Sequence, residues 1–187
     1  EPDVEMFVQE YANANPHLCI DTPQVTATTY PENGKERVLE IFFTYQNSRD
    51  VLRNMQNTVS PIFSAAELYV QGSEGEQQKY EQLYAFLMER FDYTIETSIT
   101  PAYSLLRYGV GDSKAFAMVY SIMCQNADLS CQVISGTRNG EAHYWNLIRF
   151  EDTDYHVDLL RSSETGEFTV MTQEEMDGYV WDYSLYQ

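Results

Sequence analysis

From Phe116 to Cys124 the chain reads Phe-Ala-Met-Val-Tyr-Ser-Ile-Met-Cys, apolar on nearly every side of a helix drawn through it. A helix without a polar stripe has to be enclosed by other elements. The run is far short of the roughly 20 residues that a membrane-spanning helix needs. With 187 residues, 43% of them hydrophobic and 14% aromatic, the chain holds enough apolar material for one packed domain around that helix, with room for an N-terminal elaboration.

The helix begins at a glycine turn, Gly111-Asp112-Ser113. Asp112 or Ser113 suits an N-cap, because a side-chain oxygen there satisfies first-turn N–H groups. A hydroxyl in that place also gains from the helix dipole and from free N–H groups that can stabilise an oxyanion. A three-stranded meander follows: Leu129–Ser135, a turn with the Asn139-Gly140 signal, Ala142–Phe150, and Thr153–Leu160. With Glu151-Asp152 as a two-residue loop, Phe150 opposes Thr153, Trp145 opposes Asp158 and His143 opposes Leu160. His143 and Asp158 are then diagonal neighbours on one face, roughly 7 to 8 Å apart, and a slip of one residue would separate them. Ser113, His143 and Asp158 are residue types for a nucleophile, its base and the orienter of that base. His156 shares a strand face with Asp158 and could belong to the same cleft. The spacing of His143, Asp154, His156 and Asp158 fits no metal motif, so neither a metal nor a cofactor is expected.

Three runs, Gly111-Asp112-Ser113-Lys114-Ala115-Phe116-Ala117, His143-Tyr144-Trp145-Asn146 and Tyr155-His156-Val157-Asp158, resemble in order the motifs of the transglutaminase-like superfamily. The resemblance implies an α+β, papain- or transglutaminase-like core with a central buried helix on an antiparallel sheet. It implies a Cys-His-Asp triad whose positions are held by Ser113, His143 and Asp158, with Tyr144, Trp145 and Asn146 binding substrate, and it draws the helix at Glu76–Phe91 and Asp92-Tyr93-Thr94 into the core. Serine stands where the family has its cysteine. A thiol, with a free pKa near 8.5, readily forms a thiolate beside an imidazolium; a serine hydroxyl depends on concerted base catalysis. Cys124 lies 11 residues along the same helix, about 16 Å away, and cannot substitute. The reading that follows is an impaired enzyme that binds a peptide or protein. A serine-dependent peptidase, amidohydrolase or acyl transferase acting on glutamine or peptide amides is one alternative, and a structural domain of a bacterial envelope protein is another.

Residues 1–72 read as an elaboration and 73–187 as the core, with a soft boundary. Residues 4–13 suggest a short amphipathic helix ended by Pro16, and Gln24–Tyr30, the turn Pro31–Gly34 and Arg37–Tyr45 form a hairpin pattern. A helix over Asn47–Tyr69 has Ser48 or Asp50 to cap it and Pro61 to break or kink it. Ser73-Glu74-Gly75-Glu76 and Thr172-Gln173-Glu174-Glu175 both read as capping boxes. Ser98–Gly111 reads as a loop, and the aromatic tail of Tyr179, Trp181, Tyr183 and Tyr186 as a segment packed on the core or a platform for carbohydrate or peptide.

Eleven basic against 29 acidic residues, net charge -18, argue against nucleic acid and anionic membrane surfaces as partners. Cys19, Cys124 and Cys131 form no C-x-x-C pair; Cys124 and Cys131 read as small buried hydrophobes. From its acidity and the resemblance, the expected location is extracellular or the cell envelope.

Overall fold

The computed structural model describes residues 4–8, 11, 23–32, 34–98 and 100–186. After a helical piece at residues 4–8 and 11 come β1 (Gln24–Glu32), β2 (Lys35–Thr44), α1 (Arg49–Tyr69), α2 (Glu76–Met88), β3 (Asp92–Tyr93), α3 (Pro101–Tyr108), β4 (Val110–Gly111), α4 (Ser113–Asn126), β5 (Cys131–Arg138), β6 (Glu141–Phe150), β7 (Thr153–Val157), α5 (Leu159–Thr165) and β8 (Tyr179–Val180). Pro16, Cys19 and Asn33, which figure in the readings above, lie outside the described residues.

The stripe-less helix is α4, and every residue from Ala115 to Cys124 is buried. Helices α1, α2 and α3 pack on it from one side and strands β5 and β6 from the other. Each large apolar side chain enclosed in this way contributes about 1.5–3 kcal/mol.

The sheet is antiparallel in the order β7-β6-β5-β8. Asn139 and Gly140 both take positive φ, as a tight two-residue hairpin requires, and Glu151 and Asp152 do the same at the next one. The β6–β7 register runs from Phe150 opposite Thr153 to Asn146 opposite Val157, the pairing expected. The ladder stops there, however, and the expected strand to Leu160 does not form. Asp158 leaves the sheet to cap α5, its Oδ1 accepting the Leu160 and Arg161 amides at 3.1 and 3.3 Å. Side chains on β6 alternate: Asn146, Ile148 and Phe150 face α4, whereas Trp145 points into a second cluster with Ile134, Met171, Met176 and Tyr179.

Three other expectations change. Helix α1 runs unbroken through Pro61; Val59 and Ala66, buried in the main core on either side of it, outweigh the backbone bond that proline removes. The Ser73 box is absent, because the Ser73 hydroxyl binds the Val70 carbonyl and Gln82 instead, and α2 starts after Gly75 with no side-chain cap. The loop at 98–111 contains α3, begun by Pro101 and closed by Gly109 in the left-handed region, an arrangement that needs no side-chain cap at its start. At Thr172 the expected capping box does form, the Glu175 carboxylate accepting from the backbone N–H and the hydroxyl at the start of a short 3-10 turn. Among the described residues no helix is long and apolar enough to cross a membrane.

Candidate active site

Asp112 caps α4, its Oδ1 accepting the Ala115 amide at 2.9 Å, and Ser113 becomes the first helical residue. A Cβ on Gly111 would stand 2.7 Å from that of Ala115 and 3.2 Å from that of Leu105, so the turn into the helix demands glycine. Parallel pairing of β3 and β4, with the Thr94 amide donating to the Gly111 carbonyl at 2.8 Å, anchors the same turn. The N–H groups of Ser113 and Lys114 are first-turn donors with no intrahelical acceptor.

The Ser113 hydroxyl accepts from the Tyr144 amide at 3.3 Å. That amide belongs to the peptide that directly follows His143, so the hydroxyl rests against the main chain of the imidazole-bearing residue. The His143 ring turns its far nitrogen, Nε2, to Asp158 Oδ2 at 2.8 Å. With Nε2 donating to the carboxylate, Nδ1, the nitrogen nearer the backbone, is the free one. No hydrogen bond joins Ser113 to His143 directly among the described residues.

Asp158 is 1% exposed. Its Oδ2 also accepts from the Tyr179 hydroxyl at 2.6 Å and lies 3.5 Å from Arg138 Nη1. Burial opposes ionisation of this carboxyl, but the His143 bond and charge, the Tyr179 hydroxyl and Arg138 outweigh it, and the carboxyl sits below its ordinary value. Arg138 in turn binds Glu164 at 2.9 Å.

Structure thus brings Ser113, His143 and Asp158 to one place, though Asp158 arrives from a helix cap and not from a strand. The residues expected to bind substrate separate. Tyr144 is half-buried, with Lys114 Nζ 5.4 Å from its ring centre. Trp145 and Asn146 are 1% and 0% exposed and back the crevice at Ser113 from within the protein. Trp145 lies in the second core and donates through Nε1 to His156 Nδ1 at 3.0 Å; burial holds His156 neutral by pushing its pKa down to about 4. Asn146 binds the Ala117 carbonyl at 2.9 Å from within the α4 interface, and its buried Oδ1 has no hydrogen-bond partner among the described residues.

A cavity of about 380 Å³ opens beside His143, with Tyr93, Arg138, Glu141 and Leu160 in its walls. Tyr93, 52% exposed, offers a ring at its mouth. The crevice at Ser113 itself, between Phe116, Tyr144, Leu159 and Leu160, has no room for a water molecule. Sequence reasoning missed Tyr179 and Arg138: the first reads as part of an aromatic tail and the second as a turn residue. Cys124 and Cys131 are free and buried, and burial pushes the Cys124 thiol well up. No group of three or more His, Cys, Asp or Glu placed to hold a metal ion occurs among the described residues.

The family model described as the transglutaminase-like superfamily matches residues 64–159, a span that includes Ser113, His143 and Asp158. No curated protein matches the sequence. Solved structures of similar fold include the crystal structure of a TGase, 8% identical, with a TM-score of 0.50, covering 73% of this chain and 43% of that one. A candidate protease from Parabacteroides distasonis is 12% identical, with a TM-score of 0.44 and coverage of 71% and 35%. A candidate cysteine protease from Cytophaga hutchinsonii is 10% identical, with a TM-score of 0.46 and coverage of 84% and 70%. The chain spans less than half the length of the first two. At such identities the likeness concerns fold alone.

Proposed function

This chain belongs to the transglutaminase-like superfamily, and we propose that it is a catalytically impaired member that uses its triad cleft to bind an extended peptide or a protein segment. One observation carries the reading. The base and its orienter are assembled, His143 on Asp158 at 2.8 Å, while the Ser113 hydroxyl is engaged by the Tyr144 amide in a crevice with no room for water. A serine needs its base in direct contact at the moment of attack, because it cannot be held ready as an anion as a cysteine can.

Replacing the hydroxyl tests this. Ser113→Cys is expected to gain a thiol whose alkylation is fast and depends on His143, while the native protein resists a fluorophosphonate probe and yet shows peptide-induced shifts in the His143 resonances. A thiol that alkylates like a free one with or without His143 means that the groups do not converge.

The free Nδ1 of His143 favours a second reading, a serine-dependent amidohydrolase or acyl transferase. Ser113 Oγ would attack the amide carbonyl carbon and pass its proton to Nδ1, with Asp158 holding the imidazolium through Nε2. The Ser113 and Lys114 N–H groups would take the developing oxyanion, and His143 would return the proton to the leaving amine. Fluorophosphonate labelling of Ser113 that vanishes in His143→Ala decides for this reading.

A further inference from the structure

The geometry points to Tyr179 as the positioning residue of the Asp158 carboxylate, carried there by a C-terminal strand that closes over the site. The inference rests on the triad reading, in which Asp158 orients His143.

A carboxylate offers about four lone-pair directions. The Leu160 and Arg161 amides take those of Oδ1, and His143 Nε2 and the Tyr179 hydroxyl take those of Oδ2. Removing the hydroxyl leaves the inner oxygen with the imidazole and the more distant Arg138. Rotation of the carboxylate is then opposed by one bond fewer, and the His143 ring follows whatever carboxylate it is bound to.

Several features put that hydroxyl in place. Strand β8 pairs with β5, Tyr179 opposite Arg138 and Val180 opposite Thr137, so one ladder delivers the two groups that join His143 at Oδ2. The Asn139 amide donates to the Gly178 carbonyl at 2.7 Å, and Gly178 takes a positive φ of 83° just before the strand. Gly136 lies beneath: a Cβ there would collide with the Val180 carbonyl and the Trp145 ring. The Tyr179 ring packs edge-on against Trp145 at 5.2 Å, itself in T-shaped contact with Trp181 at 5.6 Å. Burial, and then the Asp158 charge, keep the phenol protonated. It can act only as a donor towards the carboxylate.

The experiment is Tyr179→Phe, which keeps the ring and deletes the hydroxyl, with the Asp158 carboxyl and the His143 Nε2–H proton followed by NMR. Tyr186→Phe is the control: it deletes another tail hydroxyl, packed on the same cluster but bonded to the Ser135 amide at 3.2 Å and not to Asp158. Expected for Tyr179→Phe is a rise of the Asp158 titration midpoint by roughly one pH unit, together with faster exchange of the Nε2–H proton. Tyr186→Phe should move neither. In a Ser113→Cys background, Tyr179→Phe should also slow alkylation several-fold. Ile134→Val trims the same core with the hydroxyl intact and separates loss of stability from loss of the bond. Unchanged Asp158 and His143 signals in Tyr179→Phe, or equal changes in Tyr186→Phe or Ile134→Val, overturn the assignment. Failure of the triad reading looks different: Ser113→Cys would then be indifferent to His143 while the Asp158 titration still responded to Tyr179.

Discussion

The two faces of the β5–β6 sheet are built on different terms. On the α4 face the interior is Phe116, Met123, Val133, Ile148 and Phe150, and the buried hydroxyls of Tyr80, Tyr120 and Ser121 all donate to main-chain carbonyls. On the opposite face Trp145, Met171, Met176 and Tyr179 enclose hydrogen bonds that each involve an ionisable side chain: Trp145 to His156, and His143 and Tyr179 to Asp158. The first face depends on area and fit. The second depends on protonation as well, and it is the one that carries His143 and Asp158.

The largest expected effect breaks the first face alone. Phe116→Ala should cost about 3–5 kcal/mol in urea unfolding, with the acid sensitivity described next left intact. That sensitivity belongs to the second face. His156 is neutral in the folded state, with its pKa lowered from 6.5 to about 4, so the unfolded chain binds a proton between those values and the folded one does not. Stability is therefore full above pH 6.5 and lost as the pH falls towards 4, by on the order of 3 kcal/mol. His156→Gln, which keeps an acceptor for Trp145, should flatten unfolding midpoints across that window. Asp158, whose carboxyl is also lowered, adds a loss that sets in only below its unfolded value near 4. Gly136→Ala should cost about 1–3 kcal/mol through overpacking and increase hydrogen exchange at β8 before β6. The smallest effect is at the rim, where Arg149 and Asp154 pair at 2.6 Å in full view of solvent; Arg149→Ala should leave the urea unfolding midpoint nearly unchanged.

Much of the α4 face is legible along the chain. Continuous apolar character at Phe116–Cys124 requires enclosure, the glycine turn sets Ser113 at the helix start, and loop lengths at Asn139-Gly140 and Glu151-Asp152 set the strand register. Each is a local pattern with a period or a turn chemistry of its own. The helix at Pro101–Tyr108 reads as loop in the sequence: a proline start and a glycine stop bracket it, but eight residues give little periodicity to read. Asp158 is the instructive failure. As a strand residue it continues the alternation of Tyr155 and Val157, and as a cap it is equally well suited to start α5; the competing backbone bonds lie in the next three residues.

By itself, then, the sequence determined the buried helix, the order of the meander strands and the order in which hydroxyl, imidazole and carboxylate occur. Tertiary structure alone decided that Trp145 and Asn146 are interior supports, that the serine hydroxyl leans on an amide and not on its base, and that Tyr179 meets a carboxylate 21 residues away. The physical reason is range. Turns and helices are specified by neighbours within about four positions, whereas partners of a buried charge are chosen by whichever donors the completed packing brings within 3 Å.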